Sequence, residues 1–180
     1  KRTYPEFDFP LFPSFPLNES IKDFTLAGSS SETIVSSDSY RNLTIKDNTK
    51  FYIDASYKDI ILNIKNFDLT NGHIIILGNN KVIFYVNNMN IGSGSTINYN
   101  DGQLGNPNKF DLFHNGTNEL KIAGSQKIFG NLHIEKANLI ITEGGSINGN
   151  LYVKNGNTEI SGGSAVLNGN LYVNSGDITF

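Results

Sequence analysis

The side chains of this chain that could do chemistry are few and mostly scattered. His114 and His133 are 19 residues apart, a spacing that could set them on neighbouring turns of a repeat and let both bind one metal ion. No third ligand follows in matching phase, so strand or surface histidines are the favoured reading. Asp101 lies in Asn100-Asp101-Gly102, with Asn98 before it and Asp111 after it, and their oxygens could gather round calcium. The alternating acids of a calcium loop are missing, which favours a plain Asn-Asp-Gly turn.

Enzymes that cleave acidic polysaccharides need two or three adjacent carboxylates, or a cluster of acids holding calcium beside an Arg or Lys base. Here Asp54, Asp59, Asp68, Asp101, Asp111 and Glu135 do not recur as a column, and both arginines, Arg2 and Arg41, fall outside the repeats described next. We therefore expect no catalytic residue, no metal site and no cofactor. The sequons at Asn18, Asn42 and Asn115 carry no weight in a chain with 26 asparagines.

His133 has a second claim, because Tyr152 and Tyr172 follow it at intervals of 19 and 20. Such a column could stack on a sugar or meet a protein; the ordinary reading is an aromatic ladder that stabilises stacked strands. The elements that position it are plain. Gly130-Asn131-Leu132-His133-Ile134 returns as Gly149-Asn150-Leu151-Tyr152-Val153 and again as Gly169-Asn170-Leu171-Tyr172-Val173, with a second corner at Gly144-Gly145-Ser146 and Gly162-Gly163-Ser164. Strand-type residues at a period near 20, with no helical spacing, predict a parallel β-solenoid. Period-two alternation turns Leu132, Ile134, Leu151, Val153, Leu171 and Val173 inward and the column outward. Gly and Asn at the corners tolerate the left-handed backbone of a sharp turn.

Composition agrees. Against 26 Asn, 21 Ile and 18 Gly there are two Arg and five Ala, a bias away from helix. A net charge of −3 offers no basic face to nucleic acid. There is no cysteine for disulfides or thiolate metal sites, and no apolar run long enough to span a membrane. The chain opens on Lys1 and not on methionine, as a mature or trimmed polypeptide would.

Taken in order, residues 1 to 17 interleave Phe7, Phe9, Phe12 and Phe15 with Pro5, Pro10, Pro13 and Pro16, which forbids helix and favours an extended course. Either these rings cover the flank or open first coil of the solenoid, the favoured reading, or they form a docking peptide. Residues 18 to 40 read as an exposed Ser-rich connection with one short strand near Thr33-Ile34-Val35. From Asn42 the coils begin, and Ile60 to Leu69 is rewritten 22 residues later as Val82 to Ile91. Asn100 to Asn108 has no counterpart in neighbouring coils and reads as an inserted loop of the kind that often carries binding. The expectation is thus a lead-in and connection over 1–40 and, over 41–180, a single-stranded, right-handed parallel β-helix of about seven coils, roughly 30 to 35 Å long.

The Phe-Pro lead-in, Asn42-Leu43-Thr44-Ile45, Lys81-Val82-Ile83-Phe84-Tyr85-Val86, Ile97-Asn98 and the closing Gly-Asn-Leu-Tyr-Val coils resemble the β-helical ectodomains of bacterial type IV pilin-like proteins. The resemblance covers most of residues 7 to 180. It implies a secreted, pilus-associated minor pilin or tip component at the cell surface, acting in assembly or adhesion without catalysis. Its partners would be other pilus subunits, surface proteins, or a host or glycan receptor. Bactofilin-like scaffolds fit less well, given the lead-in and irregular coil lengths. A carbohydrate-binding or polysaccharide-cleaving β-helix is the alternative class.

Overall fold

The computed structural model describes residues 21–100 and 102–180, together with Leu11. The Phe/Pro lead-in, apart from Leu11, and Asp101 lie outside the described residues, and with them the question of what covers the first coil.

Parallel strands follow the chain as it winds. The first four turns hold β1 (Lys22–Leu26), β2 (Ser31–Ile34), β3 (Asp38–Lys46), β4 (Lys50–Ala55), β5 (Ile60–Thr70), β6 (His73–Gly78), β7 (Val82–Ile91) and β8 (Thr96–Ile97). The insertion follows, as an antiparallel hairpin of β9 (Tyr99–Asn100) and β10 (Gln103–Leu104) and a short 3-10 turn at Pro107–Lys109. The later turns hold β11 (Phe110–His114), β12 (Leu120–Ile122), β13 (Lys127–Phe129), β14 (Asn131–Ile134), β15 (Leu139–Ile141) and β16 (Ser146–Asn148). The last are β17 (Leu151–Asn155), β18 (Thr158–Ile160), β19 (Val166–Asn168), β20 (Leu171–Ser175) and β21 (Ile178–Thr179).

Three parallel sheets result: an eight-stranded one running β1-β3-β5-β7-β11-β14-β17-β20, a seven-stranded one from β2 to β19, and a four-stranded one, β12-β15-β18-β21. The chain is a β-solenoid. Leu132 pairs with Leu151 and Leu151 with Leu171, in register. Ile97, Ile128, Ile147 and Leu167 pile up likewise on the second sheet. Alternation does the sorting: β4 (KFYIDA) buries Phe51, Ile53 and Ala55 and leaves Lys50, Tyr52 and Asp54 partly exposed. Inside, Phe67, Phe84 and Phe110 meet edge to face at 5.9 and 5.1 Å, the offset that ring quadrupoles favour.

The stack begins one coil earlier than the sequence suggests. The Ser-rich stretch read as an exposed connection contains β1 and β2, and β1 pairs with β3, so there are eight coils and a rod about 35 Å long. This coil escapes the periodicity because it is an edge. Its strands read KDFTL and SETI, with charges that blunt an unpaired ladder in place of apolar repeats.

The cross-section also changes along the rod. β3, β5 and β7 are long and turn a corner without breaking, by placing two consecutive residues outward: Arg41 and Asn42, Lys65 and Asn66, Asn87 and Asn88. In the later coils the chain leaves the first sheet at that corner and returns as a separate strand, so the third sheet starts at β12.

Candidate functional site

On the outer face of the eight-stranded sheet five rings stand in a row. Tyr85 stacks on Phe113 at 5.1 Å, Phe113 on His133 at 4.2 Å, His133 on Tyr152 at 4.5 Å and Tyr152 on Tyr172 at 4.8 Å. The planes are within 24° of parallel throughout. Direct strand register produces this, since each ring is the Cα partner of the next.

The expected column of His133, Tyr152 and Tyr172 is therefore present and two rings longer. Tyr85 and Phe113 were missed because the insertion stretches their spacing to 28. Removing residues 98 to 109 would have aligned Phe110-Asp111-Leu112-Phe113 with Val82-Ile83-Phe84-Tyr85. Face-to-face stacking has a chemical consequence: within the row the π faces cover one another, so a ligand lying against the sheet meets ring edges and phenol hydroxyls. A sugar cannot lie flat on an internal ring.

Beside the rings runs a row of amides. Asn131 Nδ2 donates to Asp111 Oδ1 (2.8 Å), the Asn150 backbone N–H donates to Asn131 Oδ1 (3.0 Å), and Asn170 Nδ2 donates to Asn150 Oδ1 (3.0 Å). A second row turns the early corners, where Asn88 donates to Asn66, Asn66 to Asn42, and Asn42 to Asp23. Asp111 also forms an ion pair with Lys81. The asparagine richness of the chain is thereby explained in part: one amide per coil satisfies its neighbour above and below.

The acids seen in the sequence are spent singly. Asp54 accepts from the Ser56 N–H, Asp59 from the Lys81 N–H, and Asp68 from Thr70 Oγ1 and Asn90 Nδ2. Glu135 sits 3.7 Å from Lys136. Among the described residues no three of His, Cys, Asp or Glu come together.

Nor does the insertion turn Asn98 toward a cation. Asn98 is buried with φ 58°, and its Nδ2 donates to the carbonyls of Asn106 (3.0 Å) and Phe129 (2.8 Å), strapping the insertion to the coil below. With Asp111 occupied by Lys81 and Asn131, Asn98 and Asp111 do not converge as oxygen ligands. Lys109 Nζ pins the other end to the Gly78 carbonyl at 2.7 Å.

The two histidines do occupy adjacent coils but face opposite ways. His133 is the register partner of Phe113, and His114 that of Ile134, so alternation sends His133 to the outer row and His114 into the core. They cannot share an ion. His114 is fully buried, neither ring nitrogen has a hydrogen-bond partner among the described residues, and burial drives its pKa down to about 4. His133 is also held down to about 4, by burial first, with the Asp111 carboxylate pulling the other way and Lys81 adding to the depression. Tyr152 is shifted upward, again by burial before the neighbouring Tyr172 and Asp111.

Fold and surface together define a parallel β-solenoid whose ordered outer face is built of ring and amide rows. No protein-family model, curated protein or solved structure matches the chain. No helix among the described residues is long and apolar enough to cross a membrane.

Proposed function

We propose that this chain is a non-enzymatic structural module displayed outside a bacterial cell, the ectodomain of a type IV pilus minor pilin or tip component that serves assembly or adhesion. The observation that carries the reading is the register: from β1 to β20 every coil of the first sheet hydrogen-bonds to the next, and the described polar side chains singled out for chemistry are consumed in holding the stack. Such a rod suits spacing and presentation, with the ring row as the contact face for other pilus subunits, a surface protein or a receptor. The sequence phrases shared with pilin-like ectodomains support the pilus assignment.

The test is localisation and loss of function in the producing cell. Antibody to this chain should label sheared surface appendages, and deleting the gene should reduce piliation or attachment. Antigen confined to the cytosolic fraction, with attachment intact, defeats the reading.

One feature favours a carbohydrate-binding version. Under the insertion lies a groove of about 320 Å³ lined by Leu104, Pro107, Asn148, Gly149 and Asn168 among others, none of them charged. Amides paired with an apolar wall suit an uncharged, hydroxyl-rich chain. Cellohexaose and chitohexaose titrated against the labelled protein should shift groove amides, and unmoved spectra remove this version.

A further inference from the structure

Five asparagines in the chain precede glycine: Asn71, Asn115, Asn148, Asn155 and Asn168. An Asn-Gly pair is the sequence most open to attack by the following backbone nitrogen on the side-chain amide, because glycine offers no side chain to block the approach. The fold treats the five differently.

At two of them the attacking nitrogen is tied up. The Gly149 N–H donates to the Asn168 carbonyl at 3.1 Å, and the Gly156 N–H donates to the Ser175 carbonyl at 2.9 Å. Both bonds belong to the coil-to-coil ladder and hold the nitrogen away from the side chain before it. Asn71 sits in the left-handed region with φ 53°; its N–H donates to Ser95 Oγ and its carbonyl accepts from Asn48. That peptide is clamped on both sides.

Asn115 is different on three counts. It follows β11, in the irregular stretch through which the chain leaves the first sheet. The Gly116 N–H donates no hydrogen bond among the described residues. Across the next coil, Lys136 Nζ donates to Asn115 Oδ1 at 3.3 Å. The glycine itself is demanded by packing, since a Cβ there would come 2.1 Å from the Asn87 carbonyl oxygen and 2.8 Å from His114 Nε2. The fold thus requires a glycine, leaves its nitrogen unengaged and sets an ammonium on the oxygen where charge would develop.

We propose that Asn115 is a site of spontaneous backbone-assisted deamidation, promoted by Lys136. Gly116 N, having given its proton to solvent hydroxide, bonds to Asn115 Cγ, and the negative charge moves onto Oδ1, where the Lys136 ammonium stabilises it. Collapse of that adduct breaks the Cγ–Nδ2 bond; Nδ2 takes up a proton from water and leaves as ammonia. Water then opens the succinimide to aspartate or isoaspartate, with no redox partner or cofactor needed. The product puts a carboxylate opposite Lys136, and in the isoaspartyl form an additional main-chain atom, at the corner where the third sheet begins.

Asn168 serves as the internal comparison for the cation. Its Gly169 N–H also donates no bond among the described residues, but its amide partner is Asn148 Oδ1, at 3.1 Å, and not an ammonium.

The experiment is peptide mass spectrometry on the folded 180-residue chain held in mildly alkaline buffer, scoring amide-to-acid conversion at all five sites, beside Lys136→Met and a sample unfolded in urea. Asn115 should convert first, roughly three- to tenfold faster than Asn168, a modest gain because Lys136 is solvent-exposed and far from a preorganised oxyanion hole. Asn148 and Asn155 should lag behind both. Lys136→Met should bring Asn115 down to the rate of Asn168, and urea should erase the ranking. If Asn148 or Asn155 keeps pace with Asn115, if Lys136→Met leaves its rate unchanged, or if the order survives unfolding, the proposal is overturned.

Discussion

Asn131 Nδ2 donates to Asp111 Oδ1 across 2.8 Å, and this bond sets the polarity of the amide row above it. Each later coil donates toward the earlier one, so the first member needs only to accept, and a carboxylate meets that need. Asp23 plays the same part for Asn42, Asn66 and Asn88. The acids at the feet of these rows are structural terminators, which is why they do not gather into a catalytic cluster.

Replacing Asp111 tests this role. Asp111→Ala leaves the Asn131 amide without its acceptor at a site where the carboxylate is 11% exposed, and should cost about 1–3 kcal/mol in urea denaturation. Asp111→Asn keeps an acceptor and forfeits mainly the pairing with a solvent-exposed Lys81, a loss of at most about 1 kcal/mol. Equal losses for the two variants would show that charge, not hydrogen bonding, is what this position supplies.

The ring row should behave as an interacting series. His133 touches rings on both sides, at 4.2 and 4.5 Å. His133→Ala therefore removes two stacked contacts and should destabilise by about 1–3 kcal/mol, whereas His133→Phe should be near neutral. A double-mutant cycle of His133→Ala with Tyr152→Ala should give a coupling of about 0.5–1.5 kcal/mol. Additive losses would mean that the rings are merely adjacent.

Much of this architecture is legible in the sequence wherever one coil copies another. Gly-Asn-Leu-Tyr-Val announced the register of Leu132, Leu151 and Leu171, and the match of Ile60–Leu69 to Val82–Ile91 fixed the pairing of β5 with β7. What stayed hidden has physical causes. β1 and β2 are edge strands whose polar residues break the apolar pattern. Tyr85 and Phe113 were put out of phase by an insertion that leaves the stack undisturbed in space but not in numbering. The inward turn of His114 defies composition, since a buried imidazole without partners is not what alternation would choose.

Glycines offer a paired comparison. Gly149 has φ +146°, and a Cβ on it would come 2.1 Å from the Gly130 carbonyl oxygen. Gly149→Ala must push two coils apart or twist the corner, and should cost about 2–4 kcal/mol. Gly163 has no heavy atom within 4 Å of the same added carbon and no positive φ, so Gly163→Ala should lie within about 0.5 kcal/mol of the parent or slightly above it. Thermal melts of the two variants side by side decide the point; similar melting would mean that corner glycines are not selected by coil spacing.

The buried His114 makes the solenoid acid-sensitive in a defined window. In the unfolded chain its pKa is that of an ordinary histidine, 6.5, and in the fold it is about 4. Above the higher value both states are neutral and the full stability is present. As pH falls between the two, the unfolded chain takes up a proton that the fold refuses, so stability declines and is lost in full below the folded value, by about 3 kcal/mol for this residue. His133, depressed to a similar value, adds a loss in the same window and of the same sign. Paired carboxylates such as Asp23 and Asp38, held below their usual range in the fold, make their losses at lower pH. His114→Leu removes the titrating group and the two unpartnered nitrogens at once. It should equal or exceed the parent in urea at neutral pH and show a distinctly shallower decline between about pH 6.5 and 4. A His114→Leu profile parallel to that of the parent would mean that His114 meets water or a partner in the fold and is not the proton-sensitive group.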